Sequence, residues 1–287
     1  MTDEPPQGER ERSQHRVRKF YQISAQREWE RLVDPAQGGV LEFAVHKAWI
    51  AKFLPPAGAQ ILDIGGGPGR YSIWLAEQGY RVTLADLSPD LLAIAREKSA
   101  EAGVELEATI EADARELGQF ADQAFDAVLC LGPLYHLKNE PDRRAVAAEV
   151  LRVLKPGAPV FAAFLNRLQV LRVAIDQDLP FFTPYTFEMV KQWHDEGFLV
   201  MPVAGIFTDA YAVHPHDVTP FMEKAGFQTA DLISSQSIAA DRMKHLALFA
   251  ERQPTLYPWV IERLIEKANE PSIIGSGFHL LYIGRKP

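Results

Sequence analysis

Ile61-Leu62-Asp63-Ile64-Gly65-Gly66-Gly67-Pro68-Gly69-Arg70 is the stretch that decides the fold. A short apolar run goes straight into four glycines interrupted by one proline. Glycines between a strand and a helix let the backbone approach a ligand closely, and the helix N-terminus offers N–H groups. The plain alternative is a tight strand-to-helix turn that holds nothing. A dinucleotide loop, G-x-G-x-x-G/A, needs glycine or alanine at its sixth position. Counting from Gly65 that position is Arg70, and counting from Gly67 it is Ser72. The spacing here is D-x-G-x-G-x-G, beginning at Asp63. A carboxylate at the strand end repels a pyrophosphate and suits a ligand that carries a cationic ammonium group.

Outward from this loop, strand and helix patterns alternate. Residues 60–64, 81–85, 104–110, 125–131 and 159–165 read as strands, and 69–78, 89–102 and 143–154 as helices. Pro89 suits a first helical turn, and Gly79, Gly103 and Pro156-Gly157 mark helix ends. Such alternation predicts a parallel sheet with helices on both faces. On the N-terminal side, residues 1–16 are charged, hold Pro5, Pro6 and Gly8, and read as a disordered lead-in. Residues 17–56 read as helices closed by Pro55-Pro56, because Leu41, Ala44, Val45, Ala48 and Trp49 recur at helical spacing. The main domain is then expected over 57–287. Its alternation breaks at 166–214, a stretch rich in aromatics that includes Phe181, Phe182, Tyr185, Phe187, Trp193, Phe198, Phe207 and Tyr211. A helix at 217–225, a strand at 227–235, a second irregular stretch at 237–275 and a strand at 278–284 complete the chain.

Composition narrows the function classes. The chain has 287 residues, 47% apolar and 24% charged, ordinary for a globular protein. Its one cysteine, Cys130, excludes an intrachain disulfide and a multi-cysteine metal site, and reads as core. The net charge of −8 disfavours general nucleic-acid binding, which depends on phosphate neutralisation. The first sixteen residues hold no apolar run for a secretory signal, and no stretch reaches a membrane span, so a cytoplasmic protein is expected. His214-Pro215-His216-Asp217 invites a metal reading. The proline restricts both histidines, no partner run exists, and Asp217 reads better as a helix start, so no metal is expected.

The loop resembles motif I of the class I S-adenosylmethionine-dependent methyltransferases, and three more segments resemble that family in order. Val82–Ser88 resembles its second strand, whose terminal acidic residue, here Asp86 beside Leu87, holds the ribose hydroxyls. Glu111-Ala112-Asp113-Ala114 resembles the adenine-binding segment, with Asp113 accepting from the amino group and the next N–H meeting a ring nitrogen. Leu151–Gly157 resembles the helix-to-strand passage before the fifth strand. The resemblance implies a doubly wound, mostly parallel seven-stranded α/β sheet with an antiparallel C-terminal strand and inserted cap segments. It implies S-adenosyl-L-methionine as cofactor, held by Asp63, Gly65, Gly66, Gly67, Gly69, Asp86, Leu87, Asp113 and Ala114. Leu131 and Gly132, at the end of the fourth strand, match the backbone that meets the methionine ammonium. Tyr21 resembles an N-terminal aromatic that closes over the cofactor, and Arg31 is placed to reach the methionine carboxylate. Arg115 reads as a surface residue beyond the adenine segment.

Methyl transfer from a sulfonium is an in-line displacement, so the protein chiefly aligns the acceptor and excludes water. Leu131-Gly132-Pro133-Leu134 stands where nucleic-acid amino methyltransferases carry an Asn/Asp-Pro-Pro-Tyr/Phe motif, which argues against that chemistry. Tyr135 and His136 follow at once and are the candidate catalytic residues, with His136 the candidate base. The competing reading makes His136 a loop cap or a filler between helices. The insertions at 166–214 and 237–275 are expected to cap the site, with the aromatics of the first lining an apolar pocket. The leading expectation is methylation of a small molecule. The alternatives are an RNA or protein methyltransferase and a non-catalytic cofactor-binding partner subunit.

Overall fold

The computed structural model describes residues 7–33, 39–175, 186–199, 208–240 and 242–287. Two helices, α1 (Gln7–Arg31) and α2 (Val40–Phe53), precede the sheet. The alternating part is β1 (Gln60–Ile64), α3 (Arg70–Glu77), β2 (Arg81–Asp86), α4 (Pro89–Glu101), β3 (Ala108–Glu111), β4 (Ala127–Cys130), α5 (Pro133–His136), α6 (Glu140–Val153) and β5 (Pro159–Asn166). Then come α7 (Gln169–Ile175), α8 (Thr186–Glu196), β6 (Phe198–Leu199), β7 (Ala210–Val213), α9 (Pro215–Lys224) and β8 (Gln228–Ser234). A short 3-10 turn leads to α10 (Met243–Arg252), α11 (Tyr257–Glu266), α12 (Pro271–Ile274) and β9 (His279–Arg285).

Seven of the strands lie in the order β3-β2-β1-β4-β5-β9-β8. The first five are parallel, and β9 runs antiparallel to both β5 and β8. The parallel part is what the alternation implies, and the antiparallel C-terminal strand is what the resemblance implies. Two short strands add to it: β7 pairs in parallel with the last two residues of β5, and β6 folds back on β7. Side chains of successive strand residues point to opposite faces. Leu62, Ile64, Val128, Cys130, Val160 and Ala162 therefore pack on the face that also holds Val146 and Val150 of α6 and Val218 and Met222 of α9. Ile61, Val82, Leu129 and Phe161 pack on the other, with Val45, Trp49 and Ile50 of α2 and Leu75 of α3. Burial on both faces explains why these strands read as continuous apolar runs.

The strand order reverses between β1, which leads outward to β2, and β4, which begins the other half. Ile64 pairs with Cys130 at the carboxyl ends of those strands. Open α/β sheets bind ligands in the crevice at such a point.

Three expectations are corrected. Residues 7–16 are helical and open α1 rather than forming a disordered lead-in; residues 1–6 lie outside the described residues. Charge that suggested disorder serves a contact instead, since Arg16 pairs with Asp209. The helix after the histidine pair begins at Pro215 with His214 as its cap, and Asp217 lies in the first turn. The stretch 237–275 does not cap the crevice: its described residues stack on α2 and β8, and Trp49 Nε1 donates to the Ile265 carbonyl.

Candidate functional site

The glycine loop is shaped by sterics before chemistry. Gly65, Gly67 and Gly69 adopt left-handed φ values of 66°, 57° and 86°. A side chain at Gly65 would also come within 2.6 Å of the Pro133 ring, and one at Gly66 within 2.5 Å of the Asp63 carboxylate. Gly69 does a different job from its neighbours: it does not line the cavity but starts α3 and lies against Ala95 of α4. Gly67 N–H donates to Asp86 Oδ2 at 2.9 Å, and Ser88 N–H donates to Asp86 Oδ1 at 2.9 Å. Asp86 thus ties the loop to the β2 end, and each of its oxygens keeps a lone pair for a further donor.

Asp63 is fully buried. Ser72 Oγ donates to its Oδ2 at 2.7 Å, while Oδ1 has no hydrogen-bond partner. Burial pushes Asp63 up to about 7, against the opposing Ser72 bond, and pushes Asp86 up to about 6 against its backbone donors. Two carboxyl groups next to a glycine loop, one with an unsatisfied oxygen, fit a ligand that brings a cation and hydroxyl donors.

One cavity collects nearly all the residues singled out above. Tyr21, Arg31, Asp63, Gly65, Gly66, Gly67, Asp86, Leu87, Asp113, Ala114, Leu131, Gly132, Tyr135 and His136 line it. Glu28, Lys138 and Asp142 line it too, unmarked by any sequence signal, and so does Arg115, which was expected on the surface. Arg115 is the clearest correction. It is not a surface residue but grips Asp113 with two bonds, Nε at 3.0 Å and Nη2 at 2.7 Å, and also pairs with Asp142 of α6. An Arg two residues after the Asp could have been read as a fork–fork partner.

Arg31, at the end of α1, donates from Nε to Glu28 at 2.8 Å and lies 3.4 Å from Glu42 of α2. Burial opposes its charge, and the two glutamates more than offset that. Behind it, Gln236 donates to Glu42 at 2.8 Å and His279 lies 3.1 Å from Glu42. Burial works to raise the Glu42 carboxyl, yet His279 and Arg31 hold it well below the usual range. This network joins α1, α2, β9 and the turn after β8, so only the fold brings it together.

His136 ends α5 and is buried. Its Nδ1 lies 3.3 Å from the carbonyl of Asp209, and its Nε2 lies 2.6 Å from Tyr21 Oη. A carbonyl only accepts, so Nδ1 carries the hydrogen, and Nε2 accepts from the Tyr21 hydroxyl. Burial lowers the imidazole to about 4, which keeps it neutral near pH 7. Tyr135 packs against its ring, 4.6 Å between centroids. Cys130 is buried in β4 with its thiol pushed up to about 12 by burial, as a core residue would be.

Among the described residues no cluster of His, Cys, Asp and Glu could hold a metal, and no helix is long and apolar enough to cross a membrane. The first insertion's expected pocket aromatics divide. Phe181, Phe182, Tyr185 and Phe207 lie outside the described residues. Trp193 packs beside Leu199 and Ala210, Phe198 against Tyr211, and Phe187 is exposed. None of these four described aromatics lines the cavity; among the described elements α1 covers it, through Val17, Tyr21, Glu28 and Arg31.

Residues 61–157 match the family model described as a methyltransferase domain. A ubiquinone biosynthesis O-methyltransferase of Xanthomonas axonopodis pv. citri (strain 306) is 37% identical over 123 residues, 43% of this chain and 50% of the relative. The chain thus matches about half the length of such curated relatives. Among solved structures, an S-adenosylmethionine-dependent methyltransferase from Methanosarcina mazei superposes with a TM-score of 0.57 at 21% identity, covering 83% of this chain and 96% of that one. The PH0226 protein from Pyrococcus horikoshii OT3 gives 0.61 at 18% identity, covering 94% and 99%. Both likenesses show the fold.

Proposed function

We propose, from the premise that this chain carries a class I S-adenosylmethionine-dependent methyltransferase domain, that it methylates an oxygen of a small molecule. The observation that carries the reading is the coincidence in one cavity of the Asp63–Asp86 carboxyl pair at the glycine loop and the neutral Tyr21–His136 pair. When bound, S-adenosylmethionine supplies a methyl group already activated on a sulfonium.

The chain's own residues do the rest. Asp86 accepts from ribose hydroxyls with lone pairs that Gly67 and Ser88 leave over. Asp63 balances the ligand's positive charge. Asp113, held rigid by Arg115, and the backbone of Ala114 address the adenine edge. Leu131 and Gly132 supply backbone at the crevice, and Arg31 offers a carboxylate its remaining N–H donors. Helix α1 excludes water, with Tyr21 as its contact to His136.

An acceptor hydroxyl must lose a proton as the new O–C bond forms. Tyr21 Oη takes that proton as its own passes to His136 Nε2, and the imidazolium so formed returns its proton to solvent. The relatives' printed name, an O-methyltransferase of ubiquinone biosynthesis, supports oxygen as the acceptor atom.

The test measures labelled methyl transfer from S-adenosylmethionine to separate panels of small phenols, thiols and amines, with RNA and protein fractions alongside. Label in a phenol ether is the expected result. Label only in RNA or protein overturns the small-molecule reading. Tight binding of S-adenosylhomocysteine without transfer to any fraction, in the presence of a partner-containing extract or without it, marks a cofactor-binding subunit.

A further inference from the structure

We propose that Asp209 is a positioning residue for this site. Its carbonyl fixes which nitrogen of His136 faces the cavity, and its carboxylate clamps α1 and the loop after α5 around that histidine. The part concerning catalysis rests on the proton-relay reading above; the geometry does not.

Asp209 immediately precedes β7, and its carboxylate is only 4% exposed. A buried carboxylate is costly without cations beside it. Two reach it from distant parts of the chain: Arg16 of α1, with Nε at 2.9 Å, and Lys138 of the loop between α5 and α6, at 3.4 Å. The same residue's carbonyl receives the His136 Nδ1 hydrogen. One residue therefore joins the covering helix, the histidine and the insertion's return to the sheet. The sequence separations, 193 residues to Arg16 and 73 to His136, hide this junction from any local pattern.

The consequence is a choice of tautomer. With Nδ1–H committed to a carbonyl, the Nε2 lone pair is left for Tyr21. The reverse tautomer would set a lone pair against the carbonyl and an N–H against a hydroxyl that would then have to donate elsewhere. Among the described residues, Tyr21 from α1, Tyr135 from α5 and Asp209 before β7 contact His136, and the charged or titratable Glu28 and Arg31 from α1 and His279 from β9 act on it electrostatically.

The experiment is long-range proton–nitrogen NMR of the imidazoles in the full chain, without ligand, from pH 5 to pH 9. His136→Gln assigns the resonance. Wild type is expected to show a neutral Nδ1–H imidazole throughout. Asp209→Asn removes the ion pairs and keeps the carbonyl; its His136 is expected to show a mixed tautomer and a midpoint raised by about one unit toward the usual value. Asp209→Glu is expected to restore the wild-type signal in large part. Arg16→Met, at a side chain 48% exposed, keeps the proposal testable if Asp209→Asn does not fold, and is expected to shift the signal in the same direction. An unchanged tautomer and midpoint in both variants, or an Nε2–H imidazole in wild type, overturns the proposal. These readings need no turnover. A wild type with the expected tautomer and no methyl transfer sinks the functional reading and leaves this one standing.

Discussion

Two Tyr–His pairs lie on the covering side of the sheet and differ in one respect. Tyr71 and His46 join α3 to α2: His46 Nδ1 lies 2.9 Å from Tyr71 Oη, and its Nε2 lies 2.7 Å from Ser235 Oγ. Tyr21 and His136 join α1 to α5, and the Asp209 carbonyl completes the second pair. Burial lowers both imidazoles to about 4. A buried, shifted histidine is therefore no sign of catalysis by itself. His46 has its nitrogens tied to Tyr71 and Ser235 and does not itself line the cavity, although Tyr71 does; His136 lines it and is tied to Tyr21 of the helix that covers it. What sets the second pair apart is that both of its members, Tyr21 and His136, line the cavity.

The largest expected effect tests that contrast directly. His136→Ala should lower the single-turnover rate by roughly 10²–10⁴ with S-adenosylhomocysteine affinity unchanged. His46→Ala should leave the rate per folded molecule within a few fold but cost about 2–4 kcal/mol in urea unfolding, since Tyr71 and Ser235 lose their buried partner. Similar losses of rate in both would erase the distinction.

The pH profile sharpens it. A base must be neutral, and an imidazole at about 4 is neutral across ordinary pH. The rate should therefore not titrate near 6.5 through His136 and should fall only as pH approaches 4. Both histidines also make stability pH-dependent. The unfolded groups bind protons below about 6.5 and the folded ones only near 4, so their contribution is present above 6.5 and lost as pH falls through that window. A His136-dependent inflection at 6.5 would show the ring solvated in the working state.

Smaller effects belong to the glycine-loop end. Asp86→Ala should weaken S-adenosylhomocysteine binding about ten- to a hundredfold in calorimetry, by loss of charge-assisted bonds worth roughly 1.5–3 kcal/mol. Asp63→Asn should also weaken binding, yet raise stability at pH 8 by about 1–2 kcal/mol. Burial raises the folded carboxyl from 3.8 to about 7, so its ionisation penalises the fold progressively across that range. Unchanged stability would mean that water already satisfies Oδ1. Least of all, Gly69→Ala should cost about 1 kcal/mol for its left-handed φ, with binding nearly intact, because Gly69 starts a helix rather than lining the cavity.

The sheet, the glycine loop and the carboxylates at the strand ends were legible in the order of residues. Those features depend on residues close together in the chain: strand periodicity, Gly at left-handed positions, and Asp63 and Asp86 at the ends of adjacent parallel strands. The rest came from long-range packing. Arg115's grip on α6, the Arg31–Glu42–His279 network, the use of the charged N-terminal segment as a covering helix and the junction at Asp209 all join residues far apart in the chain or on separate elements. Composition misled there because a charged helix is held by paired charges rather than by an apolar stripe, and such pairs leave no period to read. The cavity-lining residues at the strand ends were legible because strand ends converge by topology. Its proton chemistry was not, because a histidine's tautomer and pKa depend on what the folded chain places against each nitrogen.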